Sequence, residues 1–169
     1  MDTKALAYQY FLSARVTLKN LEGITHEHSV LQPKADGNCL NWNLGHMVRT
    51  RIKTLNILGK TSPLPIDLFE AYGDAPVTDS HKAIAWSSLI DHYNSLQKPI
   101  EDALHSMTAE QLGAKPPFSL TGNADETVGS LLAGLAFHEA YHCGQIGLGR
   151  RLAGLPGVIG ARKPASAGA

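Results

Sequence analysis

His138 and His142 stand four residues apart in a long apolar stretch, within the run His138-Glu139-Ala140-Tyr141-His142. On a helix that spacing puts both imidazoles on one face, one turn apart. There they can reach a single divalent ion at about 2.0–2.1 Å. The run also matches H-E-x-x-H, in which two histidines bind zinc and the glutamate serves as base of a metalloprotease. The rest of the chain argues against a protease. No His, Asp or Glu occurs from Cys143 to Ala169, and the longer form of the pattern needs Gly at 145 and His at 148, where Gln145 and Leu148 stand. A third ligand has to come from upstream.

The elements that would position such a site are helical. Leu6, Tyr10, Ala14, Thr17 and Leu21 recur at helical steps and predict a first helix from about Thr3 to Leu21, ended by Gly23. A second is predicted from about Asn41 to Leu58, with Asn41 or Asn43 as N-cap, Gly59 as stop, and Trp42, Leu44, Val48, Ile52, Leu55 and Leu58 on its apolar face. A third begins near Ser80 and carries Trp86, Leu89, Tyr93, Leu96, Ile100, Ala103 and Met107. Pro99 interrupts it and predicts a kink or break, because proline cannot donate to the Ser95 carbonyl. Thr108 to Gln111 reads as a capping box that opens a short turn. The fourth runs from about Thr127 to Leu152, with Leu131, Leu135, His138, His142, Ile146 and Gly149 along one face. The proline-bearing connection from Lys60 to Asp79, about 20 residues long, is either a lid or a passive crossover. Four long amphipathic helices and no strand predict an all-α fold, a four-helix bundle with a long crossover connection. Residues 1–155 form its domain, and residues 156–169, rich in Gly, Ala and Pro, form a loosely ordered tail.

Bundles assemble metal sites from inward side chains on facing helices. His46 sits early in the second helix between Leu44 and Val48, and Gly45 beside it removes a side chain where a neighbour could approach closely. A lone histidine on an apolar face is usually a core residue; beside a two-histidine motif in a facing helix, His46 becomes the favoured third ligand. The other histidines read less sharply. His26-Glu27-His28 falls in a loop as solvated residues, His81 and His92 could share a face of the third helix, and His105 faces solvent. Cys143 lies about 100° around the helix from His142, so it reads as a small packing residue, and Cys39 reads as a buried unreactive thiol. Tyr141 reads as a packing residue, and Arg49, Arg51 and Lys53 as a solvated helix face.

The chain's 169 residues suit one domain with a hydrophobic core of its own. Fifteen basic and fifteen acidic residues balance to zero, which argues against a nucleic-acid partner. Two cysteines make neither a disulfide framework nor a C-x-x-C pair, and the opening residues Met1-Asp2-Thr3-Lys4 lead into an amphipathic segment rather than a signal sequence. No apolar run reaches the roughly 20 residues a membrane span needs. A cytoplasmic protein with no membrane partner is expected.

Asn43-Leu44-Gly45-His46, then Thr127-Val128-Gly129, then His138-Glu139-Ala140-Tyr141-His142-Cys143-Gly144-Gln145-Ile146 and the Arg150-Arg151 end resemble the DinB-like (DinB/YfiT) superfamily from the first helix to about Leu155. The resemblance implies a four-helix bundle with a long crossover, commonly a homodimer, holding a nickel, zinc or similar divalent ion with three histidines, here His46, His138 and His142. One departure is Gly134, where relatives often carry another histidine or a larger residue one turn before His138.

Three histidines leave at least one coordination position open, the mark of a catalytic site. A neutral ligand set preserves the ion's Lewis acidity, which could bring a bound water to a pKa of about 7 or activate a thiolate. Glu139 could act as base, orient an imidazole or face solvent; Gln145, three residues past His142, is a candidate substrate contact. The resemblance implies a small-molecule substrate and a low-molecular-weight thiol such as bacillithiol or mycothiol as co-substrate, in S-transfer to small electrophiles or a thiol-dependent isomerisation. A metal-dependent hydrolase and a non-catalytic bundle that senses a ligand remain open. A metal reachable from solvent would favour an enzyme.

Overall fold

The computed structural model describes residues 2–33, 37–73 and 83–159. Among them are seven α-helices and no strand: α1 (Thr3–Leu21), α2 (His26–Ser29), α3 (Leu40–Ile57), α4 (Trp86–Ser95), α5 (Gln97–His105), α6 (Ala109–Gly113) and α7 (Val128–Leu152), with a 3-10 stretch at Ile66–Tyr72 before α4. The expected all-α bundle is the fold that forms.

The helix ends follow local chemistry. Thr127 caps α7 and Thr108 caps α6, each accepting from the backbone N–H three residues on while that residue's side chain returns a bond. Gly23 and Gly59 follow α1 and α3 at φ of 75° and 70°, where a Cβ would be strained. Two sequence expectations are corrected. The N-cap of α3 is Cys39, whose Sγ accepts from the Trp42 N–H at 3.4 Å, so Asn41 and Asn43 lie inside the helix and keep their side chains for other work. The segment His26–Ser29 is a helical turn rather than a loop, because Thr25 and His28 cap each other reciprocally. The break expected in the third helix falls at Leu96, three residues before Pro99, and divides it into α4 and α5. Its expected start at Ser80 lies outside the described residues, and residues 83–85 are not helical.

Cross-helix contacts give the topology. Tyr10 reaches the Leu132 carbonyl while Arg150 donates to the Asn20 carbonyl at 3.0 Å, so α1 and α7 run parallel. Asn43 meets His142 while Leu40 packs at Gly149, so α3 opposes α7. Asn41 donates to the Ile84 carbonyl just ahead of α4, and Arg51 reaches Tyr93 and Gln97, so α3 runs parallel to α4 and α5. The order is therefore up, down, down, up. Two consecutive parallel helices oblige the chain between them to return along the whole length of α3, about 27 Å, and the connection through Ile66–Tyr72 is that crossover. It lies on α3, burying Phe69 and Tyr72. The predicted apolar faces of α1 and α3 are buried throughout. After α7 the chain folds back: Arg150 donates to the Pro156 carbonyl at 2.7 Å and Leu155 packs on the core, so residues 155 and 156 are tied down, while residues 160–169 of the expected tail lie outside the described residues.

Candidate metal centre

Antiparallel packing of α3 against α7 brings His46 level with His138 and His142. The His46 Nε2 lies 3.1 Å from the His138 Nε2, which lies 3.2 Å from the His142 Nε2. One ligand atom from each residue fits within 4.8 Å of the others, and this buried to half-buried group could hold a metal ion.

The other ring nitrogens explain the geometry. His46 Nδ1 lies 2.9 Å from the Tyr72 carbonyl oxygen, which can only accept, so Nδ1 carries the proton and Nε2 a lone pair. The Asn43 amide is oriented by its Nδ2, which donates to the Asn38 and Cys39 carbonyls at 3.0 and 3.1 Å. Its Oδ1 is thereby left to accept from His142 Nδ1 at 3.0 Å. His142 is then the same tautomer as His46, with its Nε2 lone pair turned inward. Lone pairs on neutral imidazoles aimed at one point repel each other, and a divalent cation is their natural complement. Burial first, then the neighbouring His138 and His46, push the His142 pKa down to about 4, so the ring is neutral and available as a ligand at ordinary pH.

The supports reach further back. A Cβ on Gly45 would come within 2.1 Å of the Tyr72 ring. The close approach that Gly45 permits is thus with the crossover rather than with another helix. The Tyr72 hydroxyl donates to Asn41 Oδ1 at 2.8 Å and accepts from the Ile84 N–H at 2.8 Å, which fixes the segment whose carbonyl holds His46. Trp42 stacks on the His46 ring, with 4.6 Å between centroids and 14° between planes.

The remaining candidates are placed elsewhere. Glu139 neither reaches an imidazole nor faces solvent: its carboxylate accepts from Arg51 Nε at 3.1 Å and Nη2 at 2.5 Å, and from the Tyr93 hydroxyl at 2.8 Å. Arg51, expected on a solvated face, is fully buried; it also donates to the Tyr93 carbonyl at 3.1 Å and to Gln97 at 2.6 Å. Gln145 is half-buried and lines a different cavity, shared with Asn43 and Leu40. Tyr141 is exposed and so does not line the bundle interior; its ring edge lies on His142. Cys143 and Cys39 are buried free thiols, whose pKa values burial raises. His92 sets its ring edge-on to Phe69 and His105 is exposed, whereas His81 lies outside the described residues. Space beside Gly134 is taken by Leu120, whose Cδ1 would lie 2.8 Å from a Cβ there.

Asn43, Tyr72 and Arg51 are the positioning residues that sequence reasoning missed. Asn43 alone carried a signal, since it stands three residues before His46 and so shares its face.

The triad opens to the outside through a cavity of about 650 Å³ that touches His46 and His138. Comparison with curated proteins finds no match. The family profile described as the DinB superfamily matches residues 10–146, a span that contains all three histidines and every residue that orients them. The chain belongs to the DinB superfamily.

Proposed function

We propose that the protein is a divalent-metal-dependent enzyme, with nickel or zinc on His46, His138 and His142, that transfers the sulfur of a low-molecular-weight thiol to a small electrophile. The observation that supports an enzyme over a sealed structural site is the 650 Å³ cavity reaching His46 and His138. A bound ion would supply Lewis acidity that favours the thiolate over the thiol. The chain's own contribution is orientation: Asn43 and the Tyr72 carbonyl hold two imidazoles in the ligating tautomer. Phe118, Leu120 and Leu135 give the cavity an apolar wall for the body of a substrate. In the transfer one carbon–sulfur bond forms, the bond from that carbon to its leaving group breaks, and the thiol proton departs with the leaving group.

Glu139 belongs to the reading as a positioning residue that sets the turn bearing His138, whereas Gln145, which lines another cavity, has no substrate contact in it. The reading includes a cytoplasmic setting, which two buried free thiols support. It also includes a homodimer, supported by the exposed Phe137, Tyr141, Leu148 and Leu152 along α7 and tested by sedimentation velocity.

The first test is elemental analysis of untagged wild type and His46→Ala after dialysis against several divalent ions. About one ion per chain in the wild type, lost in the variant, is expected. Loaded protein is then assayed with cysteine, glutathione, bacillithiol and mycothiol against 1-chloro-2,4-dinitrobenzene. Turnover that needs both ion and thiol is expected; an ion bound with no turnover for any thiol would leave a non-catalytic binder.

A further inference from the structure

The wall of the triad cavity carries a second chemistry. Arg49 and Lys53 line it one and two turns beyond His46 on α3, and no carboxylate is among its lining residues that the structure describes. The two cations stand four residues apart on one helix face, a spacing at which like charges repel. Neither has an ion-pair partner among the described residues, and the Arg49 Nε–H is buried without a hydrogen-bond acceptor. A buried donor left unsatisfied costs free energy that a bound acceptor would recover. Phe118, Leu120 and Leu135 line the same cavity. Two cations, no acid among the described residues and an apolar wall beside the triad describe the complement of an amphipathic organic anion.

We propose that Arg49 and Lys53 form an anion-binding subsite of this cavity. It takes the carboxylate, sulfonate or phosphate of a ligand whose apolar body lies against Phe118 and Leu120 and whose far end reaches the histidines. The assignment rests on the reading of this cavity as the active site and names the class of molecule it accepts. His46 and Lys53 are about 10 Å apart along the helix axis, so a ligand of metabolite size spans the distance.

The test uses two fluorescent probes with the same aromatic body, the sulfonate 1-anilinonaphthalene-8-sulfonate and the neutral N-phenyl-1-naphthylamine. Each is titrated into wild type, Arg49→Gln/Lys53→Gln and, as a change confined to the half-exposed rim, Lys53→Glu. Circular dichroism and metal content are recorded for every sample. Sulfonate affinity is expected to fall about tenfold or more in both variants, and to lose its dependence on salt in the double variant, because charge-assisted bonds disappear. The neutral probe is expected to bind all three proteins within about twofold, on the same apolar wall. Unchanged sulfonate affinity in either folded variant, or equal loss of both probes, would overturn the subsite. Metal content separates this result from the metal reading. A wild type that takes up no ion yet shows the selective sulfonate loss keeps the subsite and sinks the metal reading; the converse pattern does the reverse.

Discussion

Two acceptors, a carbonyl and an amide oxygen, decide what the histidines can do. Without Asn43 the His142 ring has no fixed tautomer, and the Nε2-protonated form would present a proton to the ion. Asn43→Ala is expected to weaken metal affinity about 10–100-fold, read by competition with a chelator, while the helical spectrum is kept. Full affinity in that variant would mean that the tautomer is held by something else. Protons compete at the same atoms. In the metal-free protein the His142 pKa is about 4, held down by burial and then by His138 and His46, against 6.5 for an ordinary imidazole. Between those values the unfolded chain takes up a proton that the folded protein refuses, so acid favours unfolding. This part of the stability is complete above about pH 6.5 and is lost as pH falls toward 4. The urea midpoint of metal-free protein is expected to drop from pH 7 to pH 5, and less in His142→Asn; equal drops in the two proteins would place the titration elsewhere.

Helices α3 and α7 are registered by more than apolar stripes. The buried pair of Arg51 and Glu139 ties them together one residue from His138, with the guanidinium also 3.8 Å above the Tyr93 ring. Glu139→Gln would leave a buried cation with a weakened partner. It is expected to cost about 3–5 kcal/mol by urea denaturation, much of it recovered in Arg51→Met/Glu139→Leu. A Glu139→Gln protein as stable as wild type would show that the pair contributes no net stability. Gly45→Ala drives a methyl into the Tyr72 ring. It is expected to cost about 1–3 kcal/mol and, by shifting the carbonyl that holds His46, to weaken metal binding as well. Stability lost with metal affinity intact would separate the crossover from the site.

The same elements show what the sequence could disclose. Helix periods, the threonine caps and the trailing glycines are local signals, and they placed α1, α3 and α7 within a residue or two, while the third predicted helix starts at Trp86 rather than near Ser80 and is split in two. His46, His138 and His142 were legible because spacing and an apolar setting select a face. Arg51 was not, because Arg49, Arg51 and Lys53 read as alternating solvated charge while its partner stands 88 positions away. The Tyr72 carbonyl was not either: a backbone acceptor in a crossover leaves no mark in residue type.

At the scale of the molecule the core is continuous and independent of the histidines, with fully buried side chains from all four long helices. Removing metal with EDTA is expected to lower the melting temperature by about 5–10 °C relative to protein saturated about a hundredfold above its Kd, with the helical spectrum at 20 °C unchanged. Collapse of the spectrum would instead make the ion a requirement for folding. No described helix is long and apolar enough to cross a membrane.

His46 and His138 stand 92 positions apart, on the second and the last of the long helices. An ion held by both would be a cross-link, closing a loop whose entropy in the unfolded chain corresponds to about 4–5 kcal/mol. It is also a clock. A nascent chain that has emerged through α6 carries one member of the triad, and the other two follow together within a single turn of α7. Metal loading by this set has to wait until α7 has been made, which makes ion uptake a timed report on the docking of that helix.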